Sequence, residues 1–461
     1  MLALSEQLDA IMPIELVGSV ARTVGMTASV AGFPAPVGAL ASIDRDAGGP
    51  LEAEVIGFRD NLTLLYPFEE LTGVRRGNRV RLVRTSRWLR VGDELKGRVF
   101  NAKGEAVDGR PQPILGQRTR FHRAPPHPCD RPRIELPLST GIRAIDGLLT
   151  CGLGQRLGIF AGSGVGKSVL MGMMARYTSA DVIVIAMIGE RGRELNDFIE
   201  RDLGPKGLAK SVVVVATSNE PALVRVQAAM TATAIAEHYR DEGKNVLLLM
   251  DSLTRFALAQ REIGLAAGEP PTTRGYPPSV FAVLPRLVER AGQSTDGSIT
   301  AFYTVLVEAD DPNEPIADAV RGLLDGHIWL SRKLASKGRY PAVDVLESLS
   351  RLMPDVTSEE HFNSCGILRD LMGAYRDHED LISIGAYRRG SNRSVDVSIE
   401  LQDNINAYLK QRVEEPSTLE DARSGLIQLG QQAAQVASQM NQQLKQAQQQ
   451  IQQPQIQQQA R

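Results

Sequence analysis

Ala161-Gly162-Ser163-Gly164-Val165-Gly166-Lys167-Ser168 is the stretch that decides how this chain is read. An apolar run (Leu157, Ile159, Phe160) precedes it, and Val169-Leu170-Met171 opens a helical pattern behind it. A strand, a glycine-rich turn and a helix in that order make a phosphate-binding loop. The glycines let successive backbone N–H groups turn inward toward phosphate oxygens, and the helix N-terminus adds partial positive charge. Lys167 is placed to reach the β- and γ-phosphates of a bound nucleotide, and the Ser168 hydroxyl to ligate Mg²⁺. The expected nucleotide contacts are therefore Gly162, Ser163, Gly164, Val165, Gly166, Lys167, Ser168 and Val169. Ala161 stands where the pattern usually has glycine, and a small residue suffices there. The plain alternative, a glycine-rich turn that binds nothing, is disfavoured by the Gly-Lys-Ser ending in this setting.

The rest of the chain sets the frame. Its 461 residues suggest about three domains, and 43% hydrophobic residues suit an ordinary folded core. A net charge of -2 gives no general electrostatic footing for nucleic acid or an anionic membrane. Cys129, Cys151 and Cys365 are widely spaced, with neither zinc-site nor disulfide-framework spacing, which points to a reducing cytosol. No basic segment followed by a long apolar core opens the sequence, and its apolar runs are of strand length, so a cytoplasmic protein is expected.

Leu4, Leu8 and Ile11 allow either a short amphipathic turn or a frayed end. From residue 15 to about 91 short alternating runs punctuated by glycine predict a small β-barrel, the domain 1–91. Arg75, Arg76, Arg79, Arg81, Arg84, Arg87 and Arg90 make a basic stretch. A single aromatic, Trp88, interrupts it, so solvated edge strands or subunit contacts are expected rather than base stacking. Residues 92–116 have turn-rich hairpin character, and the Pro-rich connector at 122–137 should be an extended arm. The core domain, 92–354, alternates fully apolar strand-length runs (182–188, 212–216, 246–250, 299–307, 327–330) with helix-period stretches such as 223–239. Runs apolar on both faces belong to parallel strands covered by helices, so an α/β doubly wound fold is expected, with nucleotide at the carboxyl ends of its strands. Past Pro354 the stretches 358–375, 397–413 and 418–429 read as helices of a third domain, 355–430. Residues 431–461 are dominated by Gln, with apolar residues at three- and four-residue spacing, and read equally as a coiled helix or a disordered tail.

Three features around the loop specify chemistry. The apolar run 246–250 ends in Asp251, where a carboxylate can hold the Mg²⁺ shell. The run 182–188 leads into Gly189-Glu190-Arg191-Gly192-Arg193-Glu194, where Glu190 can orient and deprotonate an attacking water. A surface ion pair of Glu190 with Arg191 or Arg193 is its plain alternative. Arg351, in Ser348-Leu349-Ser350-Arg351, is one of many arginines that could meet the charge of a transferred phosphoryl group.

Gly-Ser-Gly-Val-Gly-Lys-Ser (162–168), Gly-Glu-Arg-Gly-Arg-Glu (189–194), Met-Asp-Ser-Leu-Thr-Arg-Phe (250–256), Arg-Gly-Tyr-Pro-Pro-Ser (274–279) and Tyr-Pro-Ala-Val-Asp (340–344) together resemble the type III secretion ATPases, on their flagellar protein export branch. That family is similar to the catalytic subunit of the rotary ATP synthases. The resemblance runs from about residue 14 to 429. It implies an N-terminal β-barrel, a RecA-like P-loop core and a C-terminal helical domain, assembled as a homohexamer with ATP and Mg²⁺ between subunits. It further implies that Glu190 is the catalytic carboxylate, Asp251 the magnesium-side residue and Arg191 a neighbour of the γ-phosphate. Tyr340 would stack on adenine, and Arg351 would be the finger reaching the next subunit's site. The implied task is to engage export substrates and their chaperones at a membrane export gate, with the ATPase cytoplasmic and peripheral to the inner membrane. A stator-like regulator and a coiled-coil stalk are the implied partners. The acidic loop at 310–315 could face that stalk or simply be solvated. The Gln-rich tail lies outside the family pattern.

A virulence-type injectisome ATPase stays open as an alternative, as does a rotary ATP synthase catalytic subunit. A nucleic-acid ring translocase is disfavoured by the near-neutral charge and the poor aromatic content of the barrel.

Overall fold

The structure, a computed structural model, describes the backbone of residues 15–307, 311 and 314–459 and the side chains through residue 443. The expectations for Leu4, Leu8 and Ile11, for most of the 310–315 loop and for the side chains of the tail beyond 443 fall outside those residues. By its internal contacts the chain forms two compact units that alternate along the sequence. The first comprises Met1–Arg133, Leu153–Ser163 and Ala180–Asp325; the second comprises Ile134–Gly152, Gly164–Ser179 and Gly326–Arg461.

The first unit opens with a closed antiparallel barrel. Its strands are β1 (Val17–Val24), β2 (Thr27–Ala31), β3 (Leu40–Ile43), β4 (Leu51–Arg59), β5 (Leu62–Pro67) and β6 (Arg79–Arg84), in the order β1-β2-β5-β4-β3-β6. In β4, Leu51, Ala53 and Val55 point inward while Glu52 and Glu54 alternate with them. Val20, Val30, Ile43, Leu65 and Val80 complete the same core. Closure leaves no open sheet edge.

Six further strands form the parallel sheet of the same unit: β7 (Arg98–Asn101), β8 (Arg156–Ala161), β9 (Val182–Glu190), β10 (Ser211–Thr217), β11 (Asn245–Asp251) and β12 (Ser298–Leu306). Their order is β8-β12-β11-β9-β10-β7. Every residue of β9 is buried, as its unbroken apolar run requires of a strand covered on both faces. The segment at 92–116, expected as a hairpin, does turn back at 101–104, with Asn101 N donating to Glu105 O and Val107 N to Val99 O at 2.9 Å each, and its first arm also supplies β7, which pairs in parallel with β10 through Val99↔Val213 and Phe100↔Val214. Burial of Val99 and Phe100 favours docking that arm on the sheet, since a free hairpin would leave both in water.

The basic stretch also departs from a purely solvated edge. Arg81 pairs with Asp44 at 2.8 Å and Arg79 with Glu15 at 3.1 Å at the surface. Arg87, however, is half-buried, with its guanidinium over the Phe121 ring and 3.8 Å from Glu54. Strand Trp88–Val91 leaves the barrel to pair antiparallel with Gln117–Arg120.

The second unit holds helices Arg143–Leu148 and Lys167–Tyr177, the antiparallel hairpin Gly326–Leu330/Val343–Ser350, and three long helices, Glu359–Ser383, Arg393–Leu409 and Leu419–Gln459. His361 Nε2 lies 2.7 Å from the Gly147 carbonyl, and Tyr408 Oη donates to Ala422 O at 2.7 Å, tying the helices together. The middle helix stops at Leu409, four residues before the expected 413. Lys410 turns extended, and the backbone that follows is used elsewhere: Gln411 N donates to Tyr340 O at 3.0 Å, while Arg176 and Tyr177 donate to Val413 O. The last helix carries its backbone into the Gln-rich segment as far as Gln459. No helix among the described residues is long and apolar enough to cross a membrane.

Candidate active site

The loop at 162–166 follows β8 and opens the Lys167–Tyr177 helix. Gly164 and Gly166 sit at φ +78° and +96°, where a side chain would be strained, and this pair of left-handed turns curls the loop. Gly166 is the N-cap of the helix, so Lys167 and Ser168 occupy its first turn with Val169 behind them. Those first N–H groups have no carbonyl of their own helix to bond, which leaves them for an anion. Gly162 and Val165 are buried, while Ser163 and Gly164 are exposed.

Tyr340 comes to the same place within the second unit. A Cβ built on Gly166 would meet its ring at 3.7 Å. The ring is half exposed (49%), an open apolar face beside the loop. The Gln411 bond to its carbonyl holds the segment.

Glu190 and Asp251 meet at one end of the first unit's sheet. β9 and β11 are neighbours in parallel register, Met187↔Asp251, so both carboxylates stand at the carboxyl ends of adjacent strands. Both are buried, at 7% and 1% exposure. Burying a carboxylate is costly unless it is held, and each is held. Asp251 Oδ1 accepts from Thr304 Oγ1 of β12 at 2.7 Å. Glu190 Oε2 lies 3.6 Å from Arg255 Nη2, while Arg255 Nη1 donates to Gly189 O at 2.7 Å. Arg191 and Arg193 pair instead with Glu194 and Asp197, each at 3.7 Å on the surface.

Arg191 is exposed at the mouth of this strand end, and Arg351 is exposed in the turn that follows strand Val343–Ser350. The structure thus gathers Glu190, Asp251 and Arg255 in one unit and Gly166, Lys167, Ser168 and Tyr340 in the other, with Arg351 beyond the end of its own strand. Sequence reasoning gave no role to Arg255, Thr304 or Ser252. Arg255 was within reach: it follows Asp251 by one helical turn, and Ser252 caps that helix by accepting from Arg255 N at 3.2 Å. Thr304 shares its parallel strand with the buried hydroxyl residues Ser298 and Thr300, so its polarity alone does not mark it out.

The donor types suit magnesium. A serine hydroxyl and an immobilised carboxylate are hard oxygen ligands, and no cluster of three or more acidic, His or Cys side chains occurs among the described residues.

Residues 141–350 match the nucleotide-binding domain of the ATP synthase alpha/beta family, and residues 357–428 match the T3SS EscN ATPase C-terminal domain. The chain is 51% identical over 414 residues to the flagellum-specific ATP synthase of Bacillus subtilis, covering 89% of this chain and 94% of that one. It is also 51% identical over 405 residues to a type 3 secretion system ATPase of Xanthomonas euvesicatoria, covering 88% and 92%. Among solved structures, the assembled ATPase EscN of enteropathogenic E. coli superimposes with a TM-score of 0.84 at 44% identity, covering 90% of this chain and 100% of EscN. EscN has also been solved in complex with its central stalk EscO, with a TM-score of 0.83.

Proposed function

Because this chain belongs to the family of flagellar and type III secretion ATPases, and is therefore an ATPase of type III export, we propose that it is the ATP-hydrolysing motor of flagellar protein export. In this reading it engages export substrates with their chaperones and couples hydrolysis to their release and unfolding. The observation that carries the motor reading is that Glu190, buried and clasped by Arg255, occurs in the same chain as Arg351. One polypeptide can then furnish both halves of a site shared between neighbours.

The roles follow from chemistry. Backbone N–H groups from Gly162 through Val169 cradle the phosphates, and Lys167 meets the β- and γ-oxygens. Glu190 orients the attacking water and takes its proton, with Arg255 fixing the carboxylate's direction. Arg191 lies toward the γ-phosphate, and Tyr340 offers its face to adenine. Ser168 and Asp251 would hold Mg²⁺, which when bound draws charge from the phosphate oxygens. Arg351 reaches a neighbouring copy in a homohexamer, where such an arginine is worth about 10³–10⁵ in rate. EscN, as an assembled ATPase and in complex with its central stalk, supports the ring and a stalk partner by similarity. A stator-like regulator, the membrane export gate and a peripheral place at the inner membrane complete the proposal.

The test is ATP hydrolysis by Glu190→Gln, Arg351→Ala and their mixture. Two inactive variants that regain activity on mixing support the shared site; full activity in Arg351→Ala overturns it. A virulence-type injectisome ATPase is the second reading, favoured by the identity to the Xanthomonas secretion ATPase. Restoration of swimming in a strain lacking its flagellar ATPase supports the flagellar branch, and failure to restore it, with the protein expressed and active, supports the other.

A further inference from the structure

Glu190 does not reach the end of its strand by regular pleating. Along β9 and β10, Ile188 stands opposite Ala216 and Glu190 opposite Thr217, so Gly189 is an extra residue with no counterpart. Such a bulge is rare between parallel strands, and it re-aims the side chain that follows it. Gly189 takes φ +69°, a left-handed conformation that costs glycine little and other residues more. The direction of the Glu190 carboxylate therefore depends on how firmly this bulge is held.

Two arginines flank it. A Cβ built on Gly189 would lie 3.1 Å from Cδ of Arg255 and 3.6 Å from Cδ of Arg225, so both side-chain stems pass beside the bulge. Arg255 comes from the helix Leu253–Ala267 and Arg225 from the helix Ala222–Asp241. The Arg225 guanidinium is tied in two directions. Its Nε donates to Glu220 O at 3.1 Å, and its Nη2 donates to Glu262 Oε1 and Oε2 at 2.9 and 2.7 Å. Glu262 follows Arg255 by seven residues, close to two helical turns, so both project from one face of their helix. The Arg225–Glu262 pair thus joins the two helices beside the bulge.

The Glu220 end leads back to Glu190. Glu220 closes the turn after β10 with its own carboxylate, which accepts from Thr217 N and, at 3.2 Å, from Thr217 Oγ1. The next backbone group of that turn, Ser218 N, donates to Glu190 O at 3.0 Å. Arg225 is largely buried while Glu262 is half exposed, and an ion pair open to water on one side adds little to stability. Its geometry is better matched to fixing a direction.

We propose that Arg225 is a positioning residue for ATP hydrolysis. It braces the Gly189 bulge from the side opposite Arg255, anchors the 217–220 turn that holds the Glu190 backbone, and so keeps the carboxylate aimed. The brace rests on Glu190 being the catalytic carboxylate.

Steady-state ATP hydrolysis by the full-length chain tests it, with Arg225→Ala, Arg225→Lys, Glu262→Ala and Glu190→Gln, and with Arg225→Ala combined with Glu190→Gln. Arg225→Ala is expected to lower kcat by about 10- to 100-fold with KM little changed, and Arg225→Lys to recover part of the loss. Glu262→Ala should lower kcat by about threefold or more in the same manner; with its side chain at the surface, it carries the test if Arg225→Ala fails to fold by thermal melting. In the Glu190→Gln background, read from long single-turnover incubations, Arg225→Ala should cause no further loss, because the group it aims is gone. A merely structural role would multiply the two losses. Parent kcat in the folded Arg225 variant (or in Glu262→Ala, where that variant does not fold), a rise in KM matching the fall in kcat, or multiplied losses in the double variant would each overturn the brace. Full activity in Glu190→Gln would instead overturn the catalytic role of Glu190 itself.

Discussion

Arg255 serves Glu190 twice, through its bond to the Gly189 carbonyl and through the guanidinium beside the carboxylate. If it positions Glu190 rather than touching the nucleotide, Arg255→Ala should lower kcat by about 10- to 100-fold with little change in KM, less than the loss from Glu190→Gln. Arg255→Lys should recover part of it. A KM effect equal to the kcat effect would assign Arg255 to substrate binding instead. Thr304 gives the companion prediction. Thr304→Val leaves Asp251 Oδ1 without its buried donor, a cost of about 1–3 kcal/mol, and should raise the Mg²⁺ concentration needed for half-maximal hydrolysis, whereas Thr304→Ser should not. These two residues mark where reading the sequence stopped. The loop glycines, Lys167, Glu190 and Asp251 are each visible because the role proposed for each depends on local spacing along one strand and turn. Arg255 and Thr304 act across elements, and which side chains meet across a parallel sheet depends on strand order, which no local pattern encodes.

Strands and helices show the same division. The largely apolar runs identify β9 to β12 because burial on both faces removes any need for alternation. β7 was hidden, since four residues with two apolar side chains cannot announce that they will extend a sheet whose other strands lie farther along the chain. The junction between barrel strand β4 and the Ala222–Asp241 helix makes a prediction at this scale. Glu54 lies there in contact with Gln227, near Arg87, and burial pushes its carboxyl up to about 7. An acid whose folded-state pKa is raised contributes stability that is fully present below its unfolded value near 4.5 and is lost as pH rises through about 7. Glu54→Gln, which keeps the acceptor for Gln227 and removes the titration, should therefore gain in Tm relative to the parent between pH 5 and 8. Thermal melting across that range checks it; parallel curves for the two proteins would show that Glu54 keeps its proton equilibrium on unfolding.

For the molecule as a whole, the proposed completion of the site by a neighbour's Arg351 would make turnover depend on assembly. Specific ATPase activity should rise with protein concentration and level off where sedimentation shows rings, whereas a flat specific activity would contradict a shared site. The alternation of the two compact units along the chain, with one crossing between Ser163 and Gly164, has a further effect. Synthesis delivers a chain from its N-terminus, and at about 5–20 residues per second the interval between the segment ending at Ser179 and the stretch beginning at Gly326 is on the order of ten seconds. The first unit has all its parts once Asp325 has left the ribosome, but Ile134–Gly152 and Gly164–Ser179 must wait for helices not yet made. Asp146 is provided for in the meantime, since its hydrogen-bond donors come from Ser139, Thr140 and Gly141 a few residues away. Ile142, Ile145 and Leu148, buried in the finished protein, have no such local shelter. The nascent chain thus displays a short greasy segment in mid-translation, and it is there that a ribosome-associated chaperone would find its handle.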